Sequence, residues 1–486
     1  MVKDKDILQS YSLFLIIGDF DVFFSRFMPK TLSNVLFTKM FCRLFTKKTY
    51  LSPAKYTNFG LKVMKRIIAA LLFATSICAS AQEGTWSGEL EAQGIKLPLV
   101  FNFTADGCTL DSPSQGVKGL KAEKSYTDDG KLKVTIPSIN ASYEGVYALN
   151  VISGNYTQNG FSFPLTLKQG APKVNRPQTP VGPFPYKTEE VKFRNGDFIF
   201  NGTLALPENC TAQTPVVLFV TGSGQQDRDE TLFDHKPFAV IPDALARKGI
   251  ASLRYDDRAF GDSSVPFYNF TTHDFKSDAA AGLDFLRTRF QKVGIIGHSE
   301  GGTIALMLAA EGKADFIVSL AGMVVSGKET LLWQSRISLE SLGVPQEGVD
   351  QYMDIVSDIY DKVAEGKQDA IDTSFAPEAM KPVLQRALQQ LSTPYMQHLL
   401  SVDVRPLLPQ IKCPVLALNG KKDTQVNCQA NLDALDKGLT AKHQTVALDN
   451  LNHLFQQCTT GNLMEYQQIE ETFAPEALQQ IVEWIK

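Results

Sequence analysis

The sequence predicts an α/β protein: a doubly wound, mainly parallel sheet with a helical cap insert, preceded by a small all-β domain. Three observations carry this. From Val216 onward, short apolar runs alternate with amphipathic stretches, which is the pattern of strands buried on both faces and covered by helices. From Gly84 to about Leu167, apolar and polar residues instead alternate with period two. Between these regions, residues 169–186 (QGAPKVNRPQTPVGPFPY) hold five prolines and no apolar period, the composition of an extended linker.

The chain has 486 residues and a formal charge of -4. Residues 1–63 carry ten Lys/Arg against four Asp/Glu, which leaves -10 on the remainder, so a nucleic-acid partner is not suggested. Met64 opens MKRIIAALLFATSICASAQ. This has a basic start (Lys65, Arg66), an apolar stretch from Ile67 to Ile77 and a small-residue site, Ala79-Ser80-Ala81, so residues 64–81 read as a secretory signal peptide. The apolar run is too short to span a bilayer. Translation is accordingly expected to start at Met64, with 1–63 a spurious upstream extension, and the mature protein to be periplasmic or extracellular without a membrane span. Export permits disulfides. The cysteines after Ala81 are Cys108, Cys210, Cys413, Cys428 and Cys458, and Cys428 with Cys458 is the first pair to test.

The accessory domain, 82–168, is read from Leu97, Leu99, Phe101 and Phe103, then Leu132, Val134 and Ile136, then Phe161, Phe163, Leu165 and Leu167. Half-buried antiparallel strands of this kind make a sandwich or an open barrel, and nothing in them looks catalytic. The second domain, 187–486, begins with a hairpin from Glu189 to Leu206 that turns at Asn195-Gly196. Strands follow at Val216–Val220, Ala251–Tyr255, Val293–Ile296, Phe316–Leu320 and Val415–Leu418, with helices over Lys236–Arg247 and Phe275–Phe290. The insert 324–410 has apolar residues at helical spacing: Leu332, Leu339 and Leu342; Val349, Met353, Val356, Ile359 and Val363; Val383, Leu384, Ala387, Leu388 and Leu391. A helical cap over the carboxyl ends of the strands would exclude water and shape a pocket.

Lys292 to Thr303, KVGIIGHSEGGT, joins a buried strand to an apolar helix through Gly297-His298-Ser299-Glu300-Gly301. A nucleophile elbow needs this context, because the flanking glycines let the turn close and leave the serine hydroxyl exposed above the sheet.

With TGSGQQDRDE from Thr221, YDDRAFGDSS from Tyr255, GHSEGG from Gly297, and NGKKDTQV with NLNHLF near the end, residues 189–486 resemble the α/β-hydrolase superfamily. Within it they look most similar to the serine-aminopeptidase-like branch and the simple secreted bacterial esterases. The resemblance implies an acyl-enzyme mechanism with Ser299 as nucleophile. Of six histidines, His235 and His273 precede the elbow, His298 is locked in it, His398 lies in the cap and His443 precedes the last strand. His453 remains as the base, in the loop where the superfamily places it. Asp423, just past the strand Val415–Leu418, is the orienting acid, with Asp449 as fallback; Lys421 and Lys422 would favour its ionised form. The oxyanion donors are the backbone N–H groups of Glu300 and, by superfamily register, Ser223, with Gln225 as rival because Thr221 stands where a histidine is common. Asp227-Arg228-Asp229-Glu230, Asp256-Asp257-Arg258 and Asp403 are read as loop-bracing ion pairs.

The expected substrate is a small acyl ester. The alternative is a short peptide, for which Glu300 or a cap acid could anchor the free amine. A non-catalytic glycan- or protein-binding scaffold is the third reading, and the complete triad argues against it. No cofactor or metal is expected, since no metal-ligand spacing or phosphate-cradling glycine motif is found in its required context.

Overall fold

A computed structural model describes residues 83–486, apart from 93–94, 106, 114–116, 128–129, 149, 171–174, 263, 342 and 373–380. The expected signal peptide, 64–81, and the upstream segment lie outside these residues.

Eight antiparallel strands come first: β1 (Gly84–Ala92), β2 (Ile95–Phe103), β3 (Cys108–Ser112), β4 (Val117–Tyr126), β5 (Leu132–Ile136), β6 (Ala141–Ala148), β7 (Val151–Gln158) and β8 (Phe161–Gln169). Each pairs with its sequence neighbours, and β1 also pairs with β8, Trp86 opposite Gln169 and Ser87 opposite Lys168. The sheet is therefore a closed barrel rather than a sandwich or an open barrel. Its closure depends on a pairing between the first and last strands that alternation cannot reveal. Trp86, Phe101, Leu132, Val134, Tyr143 and Leu167 fill the interior, and the Tyr143 hydroxyl donates to the carbonyls of Ile152 and Leu165. Period two holds along β5, where every second side chain is buried.

The second sheet contains β9 (Lys187–Asn195), β10 (Phe198–Leu206), β11 (Val216–Val220), β12 (Ala251–Tyr255), β13 (Val293–His298), β14 (Phe316–Leu320), β15 (Val415–Gly420) and β16 (His443–Leu448). Their order is β16-β15-β14-β13-β11-β12-β10-β9. The hairpin β9–β10 is antiparallel and β10 meets β12 antiparallel; β12, β11 and β13 to β16 run parallel. The continuous apolar runs follow from burial on both faces. Val216, Leu218 and Val220 of β11 join one core, with α2 (Thr272–Arg287), α3 (Glu300–Ala310) and α8 (Cys428–Gly438). Val217 and Phe219 join the other, under α1 (Pro237–Ala246) and α10 (Pro475–Ile485).

Between β14 and β15 lie α4 (Gly327–Ser341), α5 (Gln346–Ala364), α6 (Lys381–Leu391) and α7 (Pro394–Ser401). Leu331, Val356, Ile359, Tyr360, Val363, Leu391 and Leu400 form their own small core, so the aliphatic stripes mainly hold the cap together. The short helix α9 (Leu463–Tyr466) precedes α10.

The proline-rich segment does more than space two domains. The Arg176 guanidinium donates to the carbonyls of Phe233, Ile469 and Gln467 at 2.7, 2.8 and 3.0 Å. Gln178 accepts from the N–H groups of Thr472 and Phe473 and donates to the Phe473 carbonyl. Residues 175–178 thus strap loops of the second domain.

Cys108, Cys210, Cys413, Cys428 and Cys458 are free thiols, so Cys428 and Cys458, the first pair to test, are not bridged here. The Cys428 thiol faces the Asn419 carbonyl and the Cys458 thiol the Asn450 carbonyl. Among the described residues, no helix is long and apolar enough to cross a membrane.

Candidate active site

The chain crosses from β13 into α3 at Ser299, whose φ of 53° and ψ of -119° lie outside the regions open to most side chains. Such a residue costs about 1–3 kcal/mol and persists only where its surroundings fix it. Here the Ser299 N–H donates to the Leu320 carbonyl at 2.8 Å, and the Ser299 carbonyl accepts from the N–H groups of Gly302 and Thr303. The flanking glycines are a steric requirement. A Cβ on Gly297 would sit 2.0 Å from the Gly301 carbonyl oxygen, and one on Gly301 would sit 2.1 Å from the Val220 carbonyl oxygen.

His453, in the loop after β16, pairs through Nδ1 with Asp423 Oδ2 at 2.7 Å. Asp423 Oδ1 accepts from the N–H groups of Gln425 and Val426 at 2.8 and 2.9 Å, so the carboxylate is fixed by its own loop. Both residues are buried, 3% and 4% exposed. The fallback acid Asp449 pairs with Lys421 at the surface, and Lys422 binds the carbonyls of Cys458 and Thr459. The lysines expected to support Asp423 therefore have other partners, and backbone N–H groups hold its carboxylate in place.

The other histidines are engaged elsewhere. His235 is buried between Thr472 and the Tyr466 carbonyl, and burial lowers its pKa to about 4. His273 and His398 lie against each other, and His443 faces the Ala441 carbonyl.

In the loop after β11, the Gly222 N–H is taken by Glu230 Oε1 at 2.7 Å. Ser223 and Gly224 line the same cavity as Ser299 and His453. Gln225 is not part of that wall, and its side-chain amide donates to the Arg258 carbonyl. Glu300, as the first residue of α3, has no partner for its N–H within the helix.

A family model described as the alpha/beta hydrolase family matches residues 217–458. The chain belongs to the α/β-hydrolase superfamily. It is 26% identical over 269 residues to esterase EstD of Thermotoga maritima, spanning 54% of this chain and 60% of that relative. It is 24% identical over 191 residues to the human serine hydrolase BPHL, spanning 37% of this chain and 56% of that relative. The chain thus spans less than two thirds of the length of either. Among solved structures it is similar to a dienelactone hydrolase from Anabaena variabilis, with 18% identity and a TM-score of 0.35, covering 62% of this chain and 95% of that one.

In this α/β-hydrolase the cavity measures about 190 Å3. Its floor comes from the strand ends, at Gly222, Ser223, Ser299 and His453. The cap contributes Leu331, Gln334, Leu391, Tyr395, Met396 and Leu399. Chain order passes from β11 to β12 on one side and then back to β13 on the other. Such a reversal opens a crevice at the carboxyl ends of the strands.

Two carboxylates beside the serine have roles that sequence reasoning missed. Glu300, 2% exposed, accepts from Thr272 at 2.7 Å and from Tyr395 of the cap at 2.5 Å, and it is also hydrogen-bonded by Ser223. Burial pushes its pKa up against the pull of these three hydroxyls. Its side chain forms no part of the cavity wall, which corrects the reading of Glu300 as an anchor for a free amine. Glu230, 1% exposed, lies beneath the elbow and binds His298 Nδ1 at 2.9 Å. Its neighbours do brace loops as expected: Arg228 grips Asp256, and Asp229 pairs with Lys236 and Arg254. The buried Arg258 is held by Asp278 and Asp274 between the rings of Phe198 and Phe270. Asp257 instead takes the Thr221 hydroxyl and the Gln226 N–H. Asp403 pairs with Arg405. Among the described residues, no group of three or more His, Cys, Asp or Glu is arranged to hold a metal ion.

Proposed function

We propose that this protein is a secreted serine hydrolase that cleaves small carboxylic esters through an acyl-enzyme. The single observation that carries the proposal is the shared cavity: a serine in a strained turn and a histidine held by a buried aspartate open onto the same space. In the first step Ser299 Oγ attacks the ester carbonyl carbon while His453 takes its proton. The N–H groups of Glu300 and Ser223 receive the oxyanion. The C–O bond to the alcohol then breaks, with the proton passing from His453 to the leaving oxygen. Water, deprotonated by the same histidine, attacks the acyl carbon, and the acid leaves as Ser299 regains its proton. Asp423 holds the His453 ring in place and stabilises the imidazolium.

The lining favours a neutral acyl group of modest size, since 190 Å3 lies below the usual range for drug-sized ligands. An exopeptidase would need an acid facing the substrate amine, and Glu300 is engaged by Thr272, Tyr395 and Ser223 instead. Export follows from residues 64–81, and amino-terminal sequencing of the secreted protein should begin near Gln82. A fluorophosphonate probe should label the wild type and fail on Ser299→Ala; labelling that survives the substitution refutes the assignment. Short acyl esters should turn over faster than long ones and faster than aminoacyl amides.

A further inference from the structure

The loops carrying the nucleophile, the oxyanion donor and the base meet at one buried pair of side chains. Glu230 Oε1 accepts from the Gly222 N–H at 2.7 Å, in the loop after β11, and faces His298 Nδ1 at 2.9 Å, at the end of β13. His298 Nε2 in turn faces the backbone carbonyl of His453 at 3.0 Å, in the loop after β16. The His298 and His453 rings lie 4.7 Å apart, centroid to centroid. Both ring nitrogens of His298 therefore face acceptor atoms. A neutral imidazole donates from only one nitrogen. The missing proton lies between Glu230 Oε1 and His298 Nδ1, and Oε1 already accepts from the Gly222 N–H. With the Gly222 N–H directed at Oε1 and the His453 carbonyl at Nε2, the His298 ring is placed to carry hydrogen on both nitrogens.

We propose that Glu230 and His298 form a buried carboxylate–imidazolium pair that positions the oxyanion loop and the catalytic histidine relative to Ser299. This rests on the serine-hydrolase reading above. Neither residue is assigned a proton-transfer step; both are positioning residues. The charged groups around the pair are consistent with it. Asp423, beside His453, adds to the field that favours the imidazolium, and Asp257, near Glu230, lies on the far side of the oxyanion loop, where it binds Thr221. Burial opposes charge on His298, but the Glu230 carboxylate, its hydrogen bond and the His453 carbonyl outweigh it and raise the ring's pKa.

Glu230→Gln keeps the shape and removes the charge. A glutamine oxygen can still accept from Gly222 and from Nδ1–H, but a neutral His298 then presents a lone pair to the His453 carbonyl, and the base loop is released. With a short acyl ester, kcat should fall about 10- to 100-fold, the loss expected from misplacing a reacting group by about 1 Å. KM should change less than about twofold, since neither residue is proposed to bind substrate more tightly in the ground state. In the His298→Asn background the same substitution should cost nearly nothing further, because the pair acts as a unit. In the wild-type protein, nitrogen-15 NMR of labelled histidine should show both His298 ring nitrogens protonated at pH 7; this needs no variant to fold. A neutral His298 ring, a kcat unchanged in folded Glu230→Gln, or additive costs in the double variant would overturn the proposal. If wild-type protein neither hydrolyses esters nor reacts with the fluorophosphonate, the serine-hydrolase reading fails instead. The NMR result still stands apart from that outcome.

Discussion

Glu300→Gln exchanges one carboxylate oxygen for an amide NH2 at a site where all the side-chain neighbours are hydroxyls. Thr272 donates to Oε1 and Tyr395 to Oε2, and Ser223 adds a third hydrogen bond. The Tyr395 oxygen already accepts from the Gly224 N–H, so an NH2 placed opposite it leaves the tyrosine hydrogen without an acceptor. Placed opposite Thr272, the NH2 forces that hydroxyl to turn. Losing one such buried hydrogen bond costs about 1–3 kcal/mol, or a fall in Tm of about 2–4 °C per kcal/mol for a domain of a few hundred residues. The cost depends on pH in a defined direction. Burial raises the Glu300 pKa above its ordinary value, so the folded state binds this proton more tightly than the unfolded state. Wild-type stability from this group is full at low pH and falls as pH rises from the ordinary glutamate range through the raised value. The penalty of Glu300→Gln is therefore largest in acid and shrinks towards neutrality. Thermal unfolding of both proteins across that range, with ester and aminoacyl-amide turnover measured in parallel, provides the check. Unchanged stability combined with selective loss of amide turnover would refute the structural role and restore Glu300 as an amine anchor.

Asp423→Asn should leave the fold intact and lower kcat by about 10^3- to 10^4-fold, because the amide can no longer hold the His453 ring with Nδ1 as donor; a loss below tenfold in ester turnover counts against the pair. Arg176→Ala removes donors from three carbonyls of the second domain. It should lower stability by about 2–3 kcal/mol in a denaturant titration, and a shift below about 0.5 kcal/mol would mean the strap is only a spacer. His235 is buried neutral with a pKa near 4, below its unfolded value, so its contribution is present above about pH 6.5 and lost as pH falls towards 4, up to about 3 kcal/mol. Unfolding curves for wild type and His235→Gln should converge in acid, and parallel curves would exclude the linkage.

What could be read from the sequence was whatever a local rule determines. The elbow was legible because the strand, the GxSxG turn and the helix are contiguous in sequence, and Gly297 answers to the Gly301 carbonyl within the same turn, although Gly301 answers to Val220 of a different strand. Asp423 and His453 were legible by loop position, and they meet at 2.7 Å. The lysine neighbours expected to support Asp423 turned elsewhere: adjacency in sequence says little about which way a long flexible side chain turns, and Lys421 reached Asp449 instead. Glu230 was hidden in a run of four charged residues. Three of them brace loops at or near the surface while the fourth, with a φ of 51°, turns inward to His298. Glu300 was misread for a related reason. Its position after the serine suggested a side chain at the substrate, whereas the first turn of α3 directs it towards Thr272 and the cap tyrosine. Barrel closure and the grip of Arg176 are long-range pairings, spanning more than 80 and more than 290 residues, and no window of sequence contains both partners.

The two buried glutamates divide the task of holding the site together. Glu230 ties the loop after β11 to the loop after β16 through His298, and both side chains reach the cavity wall. Glu300 ties the elbow helix to the cap through Tyr395 and to the oxyanion loop through Ser223. Ser223 lies at the junction of these links, since its neighbour Gly222 belongs to Glu230 and its own hydroxyl to Glu300. A cap displacement that moved Tyr395 would reach Glu300 and Ser223, and so the proposed oxyanion donor, without passing through His453. Changes in the cap should accordingly alter oxyanion stabilisation, read in kcat with short esters, while the Asp423–His453 pair stays as it is. Because Glu230 is met by an imidazolium and Glu300 by hydroxyls, neither offers a free negative charge to the cavity. That is the physical basis for expecting a neutral acyl group rather than an ammonium at this site.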